Sequence, residues 1–164
     1  MKQLIINYTK FNLWANSKIC YFLSVLEEPV LDKKLTDNLP SMKGVVCQIW
    51  DAEATFYNRF TGNKIQSKPS EDFNGDFKEL KRKFLQQSQN LTLYALSLDD
   101  NQLNEDFEYS NEKGEKFKTQ LYRVILHCVN HSTFLRSQIL TMFRSIGYRD
   151  YSPIDLETYF REDK

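Results

Sequence analysis

Apolar side chains recur at helical spacing in four long stretches of this chain, separated by polar segments that carry its glycines and prolines. From Tyr8 to Leu26 the apolar positions are Phe11, Trp14, Ala15, Ile19, Phe22, Val25 and Leu26, one face of a helix. Pro29 opposes its continuation. Ser41 supplies a cap for a second helix reaching Arg59, with Val45, Ile49, Ala52 and Phe56 as its inward stripe. A polar link opens at Gly62 and Asn63 and extends to Pro69. A third helix spans about Asp72 to Ser97, with Phe73, Phe77, Leu80, Phe84, Leu91, Tyr94 and, just past its end, Leu98 on one face. Between Phe107 and Phe117 apolar and polar residues alternate around a turn that includes Gly114, the pattern of a short β-hairpin. The fourth helix runs from about Thr119 to Ile146 on Leu121, Val124, Ile125, Cys128, Leu135, Ile139, Met142 and Phe143, and stops at Gly147. A short turn near Pro153 to Tyr159 follows. The pattern predicts an all-α fold: one four-helix-bundle domain over residues 1–164, with a short β-hairpin before the last long helix.

Charge narrows the partners. Lys+Arg and Asp+Glu both total 22, so the formal net charge is zero. A nucleic-acid binder carries a basic surplus or stripe, and this chain has neither. The local run Lys81-Arg82-Lys83 reads as the solvated face of the third helix. The three cysteines, Cys20, Cys47 and Cys128, are widely spaced within apolar helical patterns and form no C-x-x-C pair. Reduced, buried thiols in a cytoplasmic protein are the expectation. Met1 to Asn7 lacks a signal-peptide pattern, and no stretch approaches the ~20 apolar residues of a membrane span.

Candidate chemistry concentrates late in the chain. Both histidines, His127 and His131, lie one helical turn apart in the fourth helix. An i, i+4 pair presents two imidazoles on one face, and neutral imidazole is both a metal ligand and a proton carrier near neutral pH. The periodicity directs His131 inward beside Cys128 and Leu135, with His127 one turn nearer the hairpin.

The segment His127-Cys128-Val129-Asn130-His131-Ser132-Thr133-Phe134-Leu135-Arg136-Ser137-Gln138 resembles, from Asn130 onward, the fourth-helix pattern N-H-x-x-x-H-R-G-Q of the DinB superfamily, metalloenzymes built on a four-helix bundle. Tyr8 with Asn12-Leu13-Trp14-Ala15-Asn16 is similar to that family's opening helix, and Cys47-Gln48-Ile49-Trp50-Asp51-Ala52-Glu53 to its H-I-W-D-A-E segment. The hairpin with Gly114 and the closing Gly147 to Tyr159 fit the same order, so the resemblance spans the chain.

The resemblance implies an open metal site of one histidine from the second helix and two from the fourth. Those positions fall on Gln48, His131 and Leu135, so only His131 is retained. A catalytic zinc site takes about three protein ligands, glutamine is a weak donor for such metals and leucine is none. The expectation is therefore no cofactor; any metal held would be divalent, zinc or nickel, on His131 with His127 and Asp51 or Gln48. Pocket candidates are Gln48, His131, Leu135, Cys128, Arg136 and Gln138. Arg136 is read either as a donor to an anionic group at the pocket mouth or, with preference, as the partner of a carboxylate such as Glu53. The functional expectation is a non-catalytic or altered member with a pocket for a small molecule. The alternative is a metal-dependent hydrolase or thiol-dependent transferase on a shifted His127/His131/Asp51 site. Relatives further imply a homodimer through helix faces, with no nucleic-acid or membrane partner.

Overall fold

In the computed structural model, residues 1–35, 37–63, 67–111 and 113–162 are described. The four long helices are α1 (Lys2–Leu23), α3 (Met42–Thr61), α4 (Phe77–Ser97) and α6 (Leu121–Ser145). Three shorter ones join them: α2 (Glu28–Asp32), α5 (Asp100–Asn104) and α7 (Leu156–Glu162). Strands β1 (Asp106–Ser110) and β2 (Lys116–Gln120) pair antiparallel, with Tyr109 opposite Phe117, and lead directly into α6. The expected bundle and hairpin are both present. The expected hairpin turn includes Glu112 and the expected polar link includes residues 64–66, which lie outside the described residues.

Local chemistry sets the helix ends. Ser41 caps α3 by accepting from the Gly44 N–H at 3.0 Å, and Asp76 caps α4 by accepting from Glu79 at 2.8 Å. The latter starts α4 at Phe77 rather than near Asp72. Gly147, at φ 78°, ends α6 in the left-handed region, where the Tyr148 N–H reaches the Phe143 carbonyl at 2.9 Å. Two short helices depart from expectation. Pro29 does not merely stop α1, which already ends at Leu23; it sits in the first turn of α2, where its missing N–H leaves no bond unmade. Helix α5 opens on a reciprocal box, Asp99 accepting from Gln102 N–H while the Gln102 side chain accepts from Asp99 N–H.

Pair contacts fix the helix directions. Glu53 meets Ser132 and Phe56 meets His127, so α3 and α6 are antiparallel. Glu53 meets Ser88 and Phe60 stacks on Tyr94, so α3 and α4 are parallel. Asn16 meets Ser88 and Thr9 meets Thr92, making α1 and α4 antiparallel. It follows that α1 runs parallel to α6. Because α3 and α4 are parallel, their connection must return along the bundle. Helix α3 has 20 residues and is about 30 Å long; the crossover runs back beside it. Ser70 binds the Asp51 carboxylate through its N–H (3.0 Å) and hydroxyl (2.5 Å), and Phe73 stands edge-on to Trp50 at 5.8 Å. Glu28 of α2 then accepts from the Phe77 N–H at 2.5 Å and pairs with Lys43 at 3.2 Å. A carboxylate at a helix N-terminus is favoured by the helix dipole as well as by the bond.

The apolar core divides in two. One cluster includes Ile19, Ile49, Phe84 and Ile139; the other includes Ile5, Phe56, Leu91 and Cys128. On each long helix buried polar side chains lie between these clusters: Asn12 and Asn16, Glu53, Ser88 and Ser132. A third, smaller cluster sets Phe11 and Ala15 against Val129 and Tyr159 of α7. Trp14 contacts the same Tyr159 at 5.6 Å, and its indole N–H donates to Glu162 at 3.1 Å. Phe11 and Trp14 of α1 are thus covered by the chain's own C-terminal helix. Among the described residues, no helix is long and apolar enough to cross a membrane.

Candidate functional site

A cleft of about 660 Å³ lies along the groove between α3 and α6. Small-ligand sites fall in a range of about 300–1,000 Å³. On α3, Gln48, Asp51, Ala52, Thr55 and Arg59 line it at spacings of three and four. On α6, His127, His131 and Leu135 line it at successive turns. Asn111 and Lys113 from the hairpin and Lys68 from the crossover complete the rim. Gln48, His131 and Leu135 are thus brought together, with His127 and Asp51 in the same cleft.

The histidines occupy its wall and not the core. His131 is half-buried, and the inward position next to it is taken by Ser132, which is fully buried. Burial first, and then the neighbouring His127, lower the His131 pKa below its ordinary value, favouring the neutral ring. The two imidazoles lie nearly parallel with centroids 6.2 Å apart, and His127 is edge-on to Phe56 at 5.6 Å. Ala52, expected inward, also faces this cleft; Glu53 takes the interior position.

The other three pocket candidates lie elsewhere. Cys128 is wholly buried, and burial first, then the charge of Glu53, raise its pKa well above the usual thiol value. Cys20 is pushed up to about 12, chiefly by burial. Half-buried Cys47 is pushed up to about 11, by burial first and then by Asp51. Thiols so held stay protonated, whereas the thiolate is the nucleophile. In native protein a disulfide reagent is expected to leave Cys20 and Cys128 untouched and to reach Cys47 only slowly, with all three reacting in denaturant. Rapid native labelling of Cys128, read by mass spectrometry, would overturn this assignment. Gln138 is half-buried outside the cleft, with its Oε1 buried and without a hydrogen bond among the described residues.

Arg136 is 1% exposed and Glu53 fully buried, yet the two do not pair directly. Two asparagines of α1 stand between them. Arg136 Nη1 donates to the Oδ1 atoms of Asn12 (2.7 Å) and Asn16 (2.6 Å), and the Nδ2 groups of both donate to Glu53 Oε1 at 2.7 and 2.9 Å. Ser132 (3.2 Å) and Ser88 (2.7 Å) donate to the same carboxylate, and Arg136 Nη2 donates to Thr133 at 2.7 Å. An amide suits this place because one end accepts and the other donates. Burial lowers the Arg136 pKa to about 10, which leaves it charged at neutral pH. The preferred sequence reading, a pairing with Glu53, becomes a bridged arrangement that joins all four long helices. It belongs to the core and does not hold an anion at the cleft mouth.

The DinB family profile matches residues 1–161. The chain belongs to the DinB family. Protein DinB of Bacillus subtilis is 24% identical over 167 residues, covering 97% of this chain and 95% of that protein. Among solved structures, this DinB-family chain is similar to YfiT of B. subtilis, a probable metal-dependent hydrolase with an unusual four-helix bundle topology. That likeness has a TM-score of 0.73 at 17% identity, over 91% of each chain. A DinB-like protein of the same species gives 0.70 at 14% identity, over 93% of this chain and 98% of the other. At these identities the solved structures establish the shared fold.

The donor set does not fit an open three-ligand metal site. Leu135 brings no donor atom, Gln48 brings a neutral amide, and both carboxylate oxygens of Asp51 already accept from Ser70. Among the described residues, no three His, Cys, Asp or Glu side chains are grouped to hold a metal ion. Arg59 and Thr55 went unnoticed as site residues. Their signal was available: positions 48, 52, 55 and 59 share one helical stripe, beside the inward one.

Proposed function

We propose that this DinB-family chain uses the α3–α6 cleft to bind a small organic molecule and does not perform the chemistry of a three-histidine metal centre. The observation that carries this reading is the setting of His131 between Gln48 and Leu135 on the cleft wall. One neutral imidazole remains where an open site takes about three ligands. What is left is a concave, partly apolar surface with a few polar groups at its edge, the usual make-up of a ligand pocket.

Zinc and nickel titrations of tag-free protein test the proposal. Calorimetry is expected to show no stoichiometric binding of either metal, and elemental analysis of the purified chain no stoichiometric content. One equivalent of metal, lost in His131→Ala, would overturn it in favour of a metal-dependent enzyme. If His127→Ala and Asp51→Ala also removed that metal, the shifted site would be the one in use.

A further inference from the structure

Arg59 lines the cleft as a cation held by aromatic rings. Its guanidinium carbon lies 5.3 Å from the Phe56 ring centroid and 5.3 Å from that of Tyr109. Phe56 belongs to α3 and Tyr109 to β1, so the side chain is held between the bundle and the hairpin. Two rings attract the cation and fix its plane. They satisfy none of its five N–H donors, and among the described residues Arg59 has no hydrogen bond or ion pair from its side chain. Thr55, one turn earlier on the same stripe, likewise makes no side-chain hydrogen bond among the described residues. Arg59 is half-buried, so its donors are not simply surrendered to bulk water.

Among the described residues, the charge around it is mainly positive. Lys113 joins Arg59 on the rim, and the carboxylate oxygens of Asp51 accept from Ser70. A chain with no net charge thus concentrates cations around its one histidine-lined cleft. Concave sites lined by one sign of charge attract and hold counter-ions more strongly than flat surfaces do. A guanidinium whose plane is already fixed loses little freedom on gripping a planar or tetrahedral oxyanion.

We propose that the cleft mouth is an oxyanion subsite, in which Arg59, with Thr55 and Lys113 beside it, holds the carboxylate or phosphate group of a small organic anion. This rests on the reading of the cleft as a ligand site and names the chemical class of its ligand. The rest of the molecule would lie deeper, along Gln48, His131 and Leu135.

Amide and arginine side-chain NMR spectra provide the test, with succinate and inorganic phosphate as probes. Saturable shifts are expected at Thr55, Arg59 and Lys113 for at least one probe, weakening as sodium chloride is raised. In Arg59→Met, which keeps an apolar stem between the rings, affinity should fall at least about tenfold. Arg123→Met, which removes an exposed arginine outside the cleft, should bind as the unaltered chain does. Saturation by succinate alone identifies a carboxylate ligand, and by phosphate alone a phosphate ligand. Linear shifts at many surface cations mean an adventitious ion only, and overturn the subsite, as does unchanged affinity in Arg59→Met. A neutral fragment library run on the same spectra separates the two proposals. Neutral fragments binding in the cleft without either anion would sink the subsite and leave the ligand cleft standing.

Discussion

Replacing Arg136 with methionine is expected to lower the unfolding free energy by about 3–5 kcal/mol, the range found when one partner of a buried charge pair is removed. The loss comes from what remains. Glu53 would keep its carboxyl group at zero exposure without the cation bridged to it, and the Oδ1 atoms of Asn12 and Asn16 would lose the guanidinium donor they share. Methionine fills much of the space beside Phe11, so packing alone cannot explain a loss of this size. Domains of this kind hold about 5–15 kcal/mol in total. Urea unfolding should therefore show a large fall in midpoint, with a melting temperature lower by roughly 10 °C or more. Adding Glu53→Gln to Arg136→Met should recover part of the loss, giving a coupling term in the double-mutant cycle. A single Arg136→Met variant within about 1 kcal/mol of the unaltered chain would refute the central role of this network.

The same network shows where sequence reasoning reached its limit. Apolar periodicity carried the four long helices because each buries a stripe, and the stripe is a local property. Glu53 and Arg136 could be suspected as partners, since both sit on helices that must face one another. The intervening asparagines could not be assigned, because a polar residue on an apolar face reads as a gap until the opposite helix is known. The stripe of the fourth predicted helix also hid a choice of one residue. His131 and Ser132 are adjacent, and helix rotation of about 100° per residue decides which enters the core. The helix put Ser132 inside, bonded to Glu53, and left His131 on the cleft wall. Helix α5 was not expected: Asp99 and Gln102 have the spacing of a capping box, but five residues carry too little periodicity to mark a helix. The parallel course of α3 and α4 had no local signal at all, since it depends on Ser70 and Phe73 finding Asp51 and Trp50 along the return path.

Two substitutions, Gln48→His and Leu135→His, are expected to convert the cleft into a zinc site. Position 48 lies on α3 and position 135 one turn beyond His131 on α6, and all three line the same cleft. Three imidazoles with space beside them make the open arrangement of a catalytic zinc centre. Loss of an outer-shell partner alone costs about 10–100-fold in metal affinity, so supplying two missing ligands should raise zinc affinity by more than that range. The change carries a cost that sharpens the test. Leu135 is 5% exposed, and giving up its burial should destabilise the metal-free variant by about 2 kcal/mol. Zinc binds the folded state, so saturating metal should offset that loss, and the melting temperature should rise with zinc concentration. The unaltered chain should show no such rise. His131→Ala in the double variant should abolish it, because the two introduced imidazoles lie on different helices and the ligand between them is gone. If the double variant bound no zinc, the groove between α3 and α6 would be set too wide or too rigidly for the three positions to converge. The missing side chains would then not be the whole reason this chain departs from a three-histidine centre, and the geometry of the helix pair would have to share it.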